Sequence, residues 1–303
     1  MKNLWICAAL ALITVPLAAQ EIPNEGPAQT TALISATSKN SVPLDASQLK
    51  LQVNGHDAPI SSVTPVAPSR AEIAILIDDG LRGSFGLQIK DLQTFIDQLP
   101  AGTPVFVGYM RDGGVAAAQP FTQDHMAAIH AIRVPLSAPG ISASPYFCLS
   151  EFVKHWPSNN RVPRFVLMLT NGVDPYNGST SMLNQDSPYV QSAQDDAQRA
   201  GVAVYSIFYN DAGMRRGNFS GQSYLQQVAS ATGGQLLSGG MTTIDLAPYL
   251  RDFNKFIRES YTVNFLASAA RGRGNTLVPI KVKTSQQGVK IYAPENVHPG
   301  VVE

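Results

Sequence analysis

The sequence has no excess of charge of either sign and few cysteines. Lys+Arg and Asp+Glu number 22 each in 303 residues, so no field of one sign exists to attract nucleic acid or an anionic membrane. Of the two cysteines, Cys7 lies in an apolar N-terminal run and Cys148 lies among apolar residues at helical spacing. If that run is removed, Cys148 is left alone, which excludes an internal disulfide and a cysteine-based zinc site. We therefore interpret Cys148 as a buried structural thiol.

Sequence motifs of common enzymes are also lacking. The stretch GNFSG at 217–221 has the wrong spacing for the nucleophile elbow of hydrolases. No glycine loop that could cradle a phosphate follows the first core strand. His125 and His130 are five residues apart, which does not put them on one helical face for metal binding. These absences favour a protein that is not an enzyme.

The N-terminus is typical of an export signal. Lys2 precedes an apolar run from Leu4 to Ala19, which is too short for a comfortable membrane span. We predict a signal peptide over residues 1–19, and hence an exported mature chain, periplasmic or extracellular, without a membrane span. A retained N-terminal anchor is the alternative.

The rest of the chain divides into three segments by pattern. Residues 20–66 form short alternating strands with a hairpin signal at Asn54-Gly55, as expected for a small β segment. Residues 67–259 alternate continuous apolar runs with amphipathic stretches, and residues 260–303 return to strands. We expect the two β segments to pack together as one small accessory sheet.

The middle segment predicts a doubly wound α/β domain. Its continuous apolar runs are typical of parallel strands covered on both faces, and the stretches between them place their apolar residues on one helical side. The predicted fold is therefore a mostly parallel central sheet with helices on both faces. The predicted core strands are Ile73–Asp78, Val105–Tyr109, Phe165–Thr170 and Val202–Phe208.

The ordered pieces of this segment resemble the von Willebrand factor type A family. An apolar strand ending in Asp78 is followed by RFVLMLTNGVD, which resembles the family strand that ends in Thr-Asp-Gly, and by YLQQVASATGGQLL, which resembles its helix and Thr-Gly-Gly turn. The flanking β segments resemble those of von Willebrand A-related proteins of acidobacteria. The resemblance covers nearly all of the predicted mature chain and implies a protein-binding module.

The resemblance also implies a Mg²⁺ or Mn²⁺ site at the carboxyl edge of the sheet, but the motif is broken here. Asp78 matches the first residue of the Asp-x-Ser-x-Ser motif, whereas Gly80 and Arg82 replace its two serines and Asn171 replaces the later Asp. Mg²⁺ needs about six oxygen ligands, and a permanently charged guanidinium would repel it. A later loop offers Ser142 or Ser144 near the position of the ligating Thr.

We therefore predict an exported, non-enzymatic interaction or adhesion module with a degenerate metal site. No cofactor is expected, although the pattern leaves room for weak binding of Mg²⁺ or Mn²⁺. The partner is expected to be a protein that binds at the former metal edge. The predicted binding edge comprises Asp78, Asp79, Gly80, Arg82, Ser142, Ser144, Asn171, Asp174 and Tyr176.

Three alternatives stay open at this point. The metal site could be rebuilt from Asp79, Asp112 or Asp174. A cluster of Asp78, Asp79 and Asp174 could serve a metal-dependent hydrolase. The chain could instead be a structural subunit of an envelope assembly.

Overall fold

The computed structural model describes residues 26–39, 42–81, 83–137, 144–177, 186–209, 219–238, 245–268 and 276–301. The predicted signal peptide, Arg82 and Ser142 lie outside these ranges. The strands are β1 Ala28–Ser38, β2 Leu49–Val53, β3 His56–Ala58, β4 Ile60–Pro65, β5 Glu72–Asp78, β6 Val105–Arg111, β7 Gly114–Thr122, β8 Arg164–Thr170, β9 Val202–Phe208, β10 Leu236–Leu237, β11 Ser260–Ala267, β12 Val278–Thr284, β13 Val289–Tyr292 and β14 Asn296–Val297. The helices are α1 Ile89–Asp97, α2 His125–His130, α3 Pro145–Lys154, α4 Pro188–Arg199, α5 Phe219–Ala231 and α6 Ala247–Arg258.

The central sheet confirms the predicted fold class. Its strand order is β10-β9-β8-β5-β6-β7, and every neighbouring pair is parallel except β6 with β7. The four predicted core strands all lie in this sheet. All seven residues of β5 are buried, as expected for a central strand covered on both faces.

Helices cover the sheet on both faces, as predicted. Ile73, Ile75 and Ile77 point towards one apolar core, which also contains side chains of α1, α2 and α6. Ala74 and Leu76 alternate with them and join a second core with α3, α4 and α5. This alternation follows from the two-residue period of a strand. The carboxyl ends of the parallel strands are consequently collected at one edge of the sheet.

The antiparallel edge strand β7 was not predicted. It follows β6 through a two-residue turn in which Asp112 and Gly113 have φ values of 51° and 78°, as a type I′ hairpin requires. The sequence GVAAAQPFT lacks a run of large apolar residues because the strand is half-exposed. It also contains Pro120, which an edge strand tolerates.

The flanking β segments pack together as an accessory β element, as predicted, but they form two sheets instead of one. One has the order β13-β1-β11-β4 and the other β14-β12-β2-β3, and each combines strands from both ends of the chain. Their apolar faces share one core, to which Ile34 and Phe265 contribute from the first sheet and Leu51 and Ile280 from the second. A sheet with one apolar face must bury it, and a second sheet provides the cover.

A buried polar contact joins the first accessory sheet to the α/β core. The hydroxyl oxygen of Tyr205 in β9 lies 2.9 Å from Oγ of Ser35, which lies 3.0 Å from Oγ of Ser260.

No helix among the described residues is long and apolar enough to cross a membrane.

Candidate functional site

The central feature of the carboxyl edge is a contact between the ends of two neighbouring strands. Asp78 ends β5, and its Oδ2 accepts a 2.7 Å hydrogen bond from the hydroxyl of Thr170, which ends β8. Its Oδ1 accepts a 2.8 Å hydrogen bond from the backbone N–H of Gly80. Asp78 is buried, and each of its carboxylate oxygens accepts a hydrogen bond from the protein.

The segment after Thr170 is fixed by its own side chain and by close packing. Oδ1 of Asn171 accepts a 2.9 Å hydrogen bond from the N–H of Val173, which closes a tight turn. Gly172 has a φ of 67°, and a Cβ at this position would lie 2.5 Å from the carbonyl oxygen of Gly221. Only glycine fits such a position. The hydroxyl of Tyr146 donates a 2.8 Å hydrogen bond to the carbonyl oxygen of Gly172.

Asp79 is adjacent to Asp78 in sequence but contacts different groups. It is fully buried, and its Oδ1 lies 2.7 Å from Nη1 of Arg133. It also accepts hydrogen bonds from the N–H of Leu136 at 3.0 Å and from the hydroxyl of Ser137 at 3.1 Å. Burial alone would raise the pKa of Asp79, but these hydrogen bonds outweigh it and hold the pKa below its usual range. Asp79 therefore anchors the segment that follows α2.

Asp174 also has a structural partner of its own. Its Oδ2 accepts a 2.9 Å hydrogen bond from the hydroxyl of Ser187, the residue that caps α4, and its Oδ1 accepts one from the N–H of Tyr176 at 3.2 Å. Asp174 thus ties the segment after β8 to the start of α4.

The hydroxyl of Ser144 caps a helix. It is buried and accepts a 3.4 Å hydrogen bond from the N–H of Phe147 in the first turn of α3. The structure thus brings Asp78, Gly80 and Asn171 to one edge with Ser144, while Asp79 and Asp174 have partners of their own.

Three aromatic rings form an exposed cluster at this edge, which we call the aromatic cluster: Phe147, Tyr176 and Tyr189. Their centroids are 5.9 to 6.3 Å apart, and each pair packs edge to face. Tyr176 is 50% exposed and Phe147 37%. The sequence pointed to Tyr176 as a contact residue and to Tyr189 in the same polar stretch, but not to Phe147.

A second apolar surface lies near the Asp79–Arg133 pair. Leu87 is 82% exposed and Leu136 is 73% exposed, and Val134 is also exposed. The backbone N–H of Leu136 is held by Asp79, so the buried carboxylate fixes the segment that carries this side chain.

The buried nucleophiles near the edge stay protonated. Burial, reinforced by the negative charge of Asp78, raises the pKa of Cys148 to about 12. Burial raises the pKa of Tyr146 far above its usual value, with further contributions from Asp174 and Asp78. Neither group is activated for attack at neutral pH.

The oxygen atoms of the described residues at this edge are poorly suited to bind a divalent cation. Mg²⁺ prefers about six oxygens, including carboxylates. Here the carboxylate of Asp78 already accepts hydrogen bonds from the hydroxyl of Thr170 and the N–H of Gly80. The amide oxygen of Asn171 accepts a hydrogen bond within its own turn. Within the described ranges, no three His, Cys, Asp or Glu side chains are grouped so that they could hold a metal ion.

The mostly parallel central sheet, its antiparallel edge strand and the helices on both faces are consistent with a von Willebrand factor type A-like α/β fold. The predicted resemblance is thereby confirmed at the level of the fold. No protein-family model matches the chain, and no curated protein matches it.

Several solved structures are similar to the chain. The conserved hypothetical protein BatB from Bacteroides thetaiotaomicron is 15% identical with a TM-score of 0.44, and the match covers 62% of this chain and 96% of that one. The manganese-loaded TRAP protein of Plasmodium vivax is 12% identical with a TM-score of 0.46, over 77% and 96% of the two chains. The ArnB paralog VWA2 from Sulfolobus acidocaldarius is 8% identical with a TM-score of 0.43, over 89% and 76%. At such identities and scores, these likenesses carry no argument about binding or activity.

Proposed function

We propose that the chain is an exported, non-enzymatic module that binds a protein partner at the carboxyl edge of its central sheet, without a metal ion. The observation that carries the proposal is the aromatic cluster of Phe147, Tyr176 and Tyr189 at that edge. In open α/β sheets, ligands approach the carboxyl ends of the strands. Exposed, mutually packed aromatic rings supply large contact area with little loss of conformational freedom on binding.

Metal-free binding is supported by the residue types at the sequence positions where the similar family carries metal ligands. Gly80 and Arg82 carry no hydroxyl, and Asn171 carries no carboxylate. The remaining acid, Asp78, accepts hydrogen bonds from Thr170 and Gly80. In this proposal the Asp–Thr contact stabilises the edge, and the partner contacts the aromatic cluster instead of a metal ion.

The absence of catalysis is supported by the hydrogen-bond and ion-pair partners of the acidic residues. A hydrolase built on Asp78, Asp79 and Asp174 would need the three carboxylates to converge on one substrate or metal. They instead contact Thr170, Arg133 and Ser187 respectively. Export rests on the sequence of residues 1–19 alone.

Affinity capture followed by quantitative binding tests the proposal. The chain without residues 1–19 serves as bait in an extract of the cell envelope, and the partner recovered is then purified. Its affinity is measured for the unchanged chain and for Tyr176→Ala. We expect a loss of about 30-fold, which corresponds to about 2 kcal/mol for a true hot spot.

A matched control distinguishes the edge from the accessory sheets. Tyr292→Ala removes a half-buried tyrosine of β13, and Lys281→Ala alters β12. Both variants should keep full affinity. Full affinity of Tyr176→Ala together with a loss in either control would move the binding surface to the accessory sheets and contradict the proposal.

A further inference from the structure

A basic cavity lies between α6 and the N-terminal β segment, and none of its lining residues belongs to the predicted binding edge. Its volume is about 510 Å³, which is within the range of small-molecule sites. One wall is α6, with Arg251, Lys255 and Arg258, and the other includes Pro43 and Tyr261. Nothing in the proposed function uses this cavity.

The three basic residues form one stripe along the helix. They lie at spacings of four and three residues, which places them on one helical face. From the first to the last they span two turns, or about 10 Å. Like charges at such spacings destabilise a helix in the absence of a counter-ion, so the stripe is a place where an anion would stabilise the fold.

The stripe is poorly neutralised by the protein itself. Lys255 lies 3.8 Å from Oε1 of Glu259, the one acid in the cavity lining. Arg251 and Arg258 form no ion pair within the described part of the chain. Three cations and one carboxylate leave a net charge of +2 in a chain whose formal net charge is zero.

A second cavity, of about 390 Å³, makes the contrast clear. There two cations of the lining are held by acids of the protein. Lys154 pairs with Glu151, and Arg199 pairs with Asp196 at 3.0 Å. Two basic residues of the second cavity are thus paired with acids of the protein. In the first cavity only Lys255 has such a partner among the described residues.

The wall opposite α6 is held in place by hydrogen bonds from three elements. The N–H of Val42 donates to the hydroxyl of Ser38 at 2.7 Å, and the N–H of Leu44 donates to the hydroxyl of Tyr261 at 3.1 Å. The side-chain amide of Gln286 donates to the carbonyl oxygen of Pro43 at 2.9 Å. A cavity with fixed walls loses little conformational entropy when a ligand binds.

We propose that this cavity binds a small polyanion, with two or more phosphate or carboxylate groups spread over the length of the Arg251–Lys255–Arg258 stripe. A single small anion can contact one end of the stripe only. An elongated ion with several charges reaches all three cations and gains from each. Guanidinium groups also favour phosphate and carboxylate through paired hydrogen bonds.

Titration calorimetry with inorganic tripolyphosphate tests the proposal, with orthophosphate as the short anion and sodium chloride at matched ionic strength as the salt control. The chain without residues 1–19 should bind tripolyphosphate at one site and bind orthophosphate at least tenfold more weakly. Tripolyphosphate should also raise the melting temperature, because it binds the folded state. The absence of saturable binding would overturn the proposal.

Variants identify the site. The double change Arg251→Gln with Arg258→Gln should weaken tripolyphosphate binding at least tenfold, and Lys255→Gln alone should weaken it at least threefold. The control Lys50→Gln with Lys283→Gln removes the same charge from paired, exposed positions of β2 and β12 and should bind as the unchanged chain does. Equal weakening in both double variants would mean attraction by charge alone and would overturn the proposal. The outcome does not depend on whether a protein binds at the aromatic cluster.

Discussion

Nη1 of Arg133 lies 2.7 Å from Oδ1 of Asp79, in an ion pair whose carboxylate is fully buried. The guanidinium carbon also lies 3.7 Å from the centre of the Tyr109 ring. The hydroxyl of Tyr109 donates to the carbonyl oxygen of Arg133 at 2.9 Å and accepts from its N–H. These contacts join the segment after α2 to the ends of β5 and β6.

We expect Asp79→Asn to lower the free energy of unfolding by about 2 kcal/mol, because the change removes the charge that Arg133 neutralises and weakens several buried hydrogen bonds. Asp195→Asn makes the same chemical change at a more exposed helical pair, where Asp195 lies 3.8 Å from Arg199, and should cost less than about 1 kcal/mol. Urea unfolding measures both. Equal losses in the two variants would contradict a special role for Asp79.

The same pair predicts how stability depends on pH. The pKa of Asp79 is lowered in the folded chain, while an unfolded aspartate titrates near pH 4. The unfolded state therefore binds more protons in acid, and stability rises with pH there. The contribution of Asp79 should be complete above about pH 5 and should be lost as the pH falls below about 4. The free energies of unfolding of the unchanged chain and of Asp79→Asn should accordingly differ most near neutral pH and become similar in acid. A difference that stays constant with pH would contradict this titration of Asp79.

Much of the fold could be predicted because several local patterns allow one conformation only. The run EIAILID has no polar face and must be covered on both sides, as β5 is. The Thr-Gly-Gly turn is equally constrained, since a Cβ on Gly234 would lie 1.9 Å from the carbonyl oxygen of Val204. The pairing of β1 with β11 and of β2 with β12 joins residues more than 200 positions apart, and no local pattern encodes such a choice of partner.

The candidate site could be predicted only where it lies directly at the strand ends. Asp78 and Thr170 end neighbouring parallel strands, so their contact follows from the topology. The partner of Asp79 could not be predicted, because Arg133 comes from a segment 54 residues further along the chain. The aromatic cluster likewise depends on how the starts of two helices are placed, which requires the folded structure.

Cys148 should react slowly with thiol reagents in the folded chain. It is fully buried, and its pKa of about 12 leaves almost no thiolate at neutral pH. Labelling with iodoacetamide should be slow in buffer and fast in urea. Asn159→Cys adds an exposed thiol for comparison and should give one rapidly labelled site. The experiment uses the chain without residues 1–19, which lacks Cys7. Rapid labelling of that chain without the Asn159→Cys change would show that the Cys148 thiol is accessible.

Divalent cations should bind weakly or not at all. The reason is the loss of hydroxyl groups at Gly80 and Arg82 and of a carboxylate at Asn171. Calorimetry with millimolar Mg²⁺ or Mn²⁺ should show no saturable heat, and chelator should leave the melting temperature unchanged. The triple change Gly80→Ser, Arg82→Ser and Asn171→Asp restores the family ligands and should bind Mn²⁺ measurably. Tight binding by the unchanged chain would mean that other residues supply the ligands.

The aromatic cluster should contribute little to stability if its purpose is binding. Tyr176 is half-exposed and packs edge to face with Phe147 and Tyr189, so Tyr176→Ala should lower the free energy of unfolding by about 1 kcal/mol or less. Phe152 is a matched aromatic residue in the core, where it packs on Phe106 and Trp156, and Phe152→Ala should cost about 3 to 5 kcal/mol. Urea unfolding of the two variants compares these costs directly. A loss in Tyr176→Ala as large as that in Phe152→Ala would make the cluster part of the core packing, and its rings would then no longer favour a partner at the carboxyl edge.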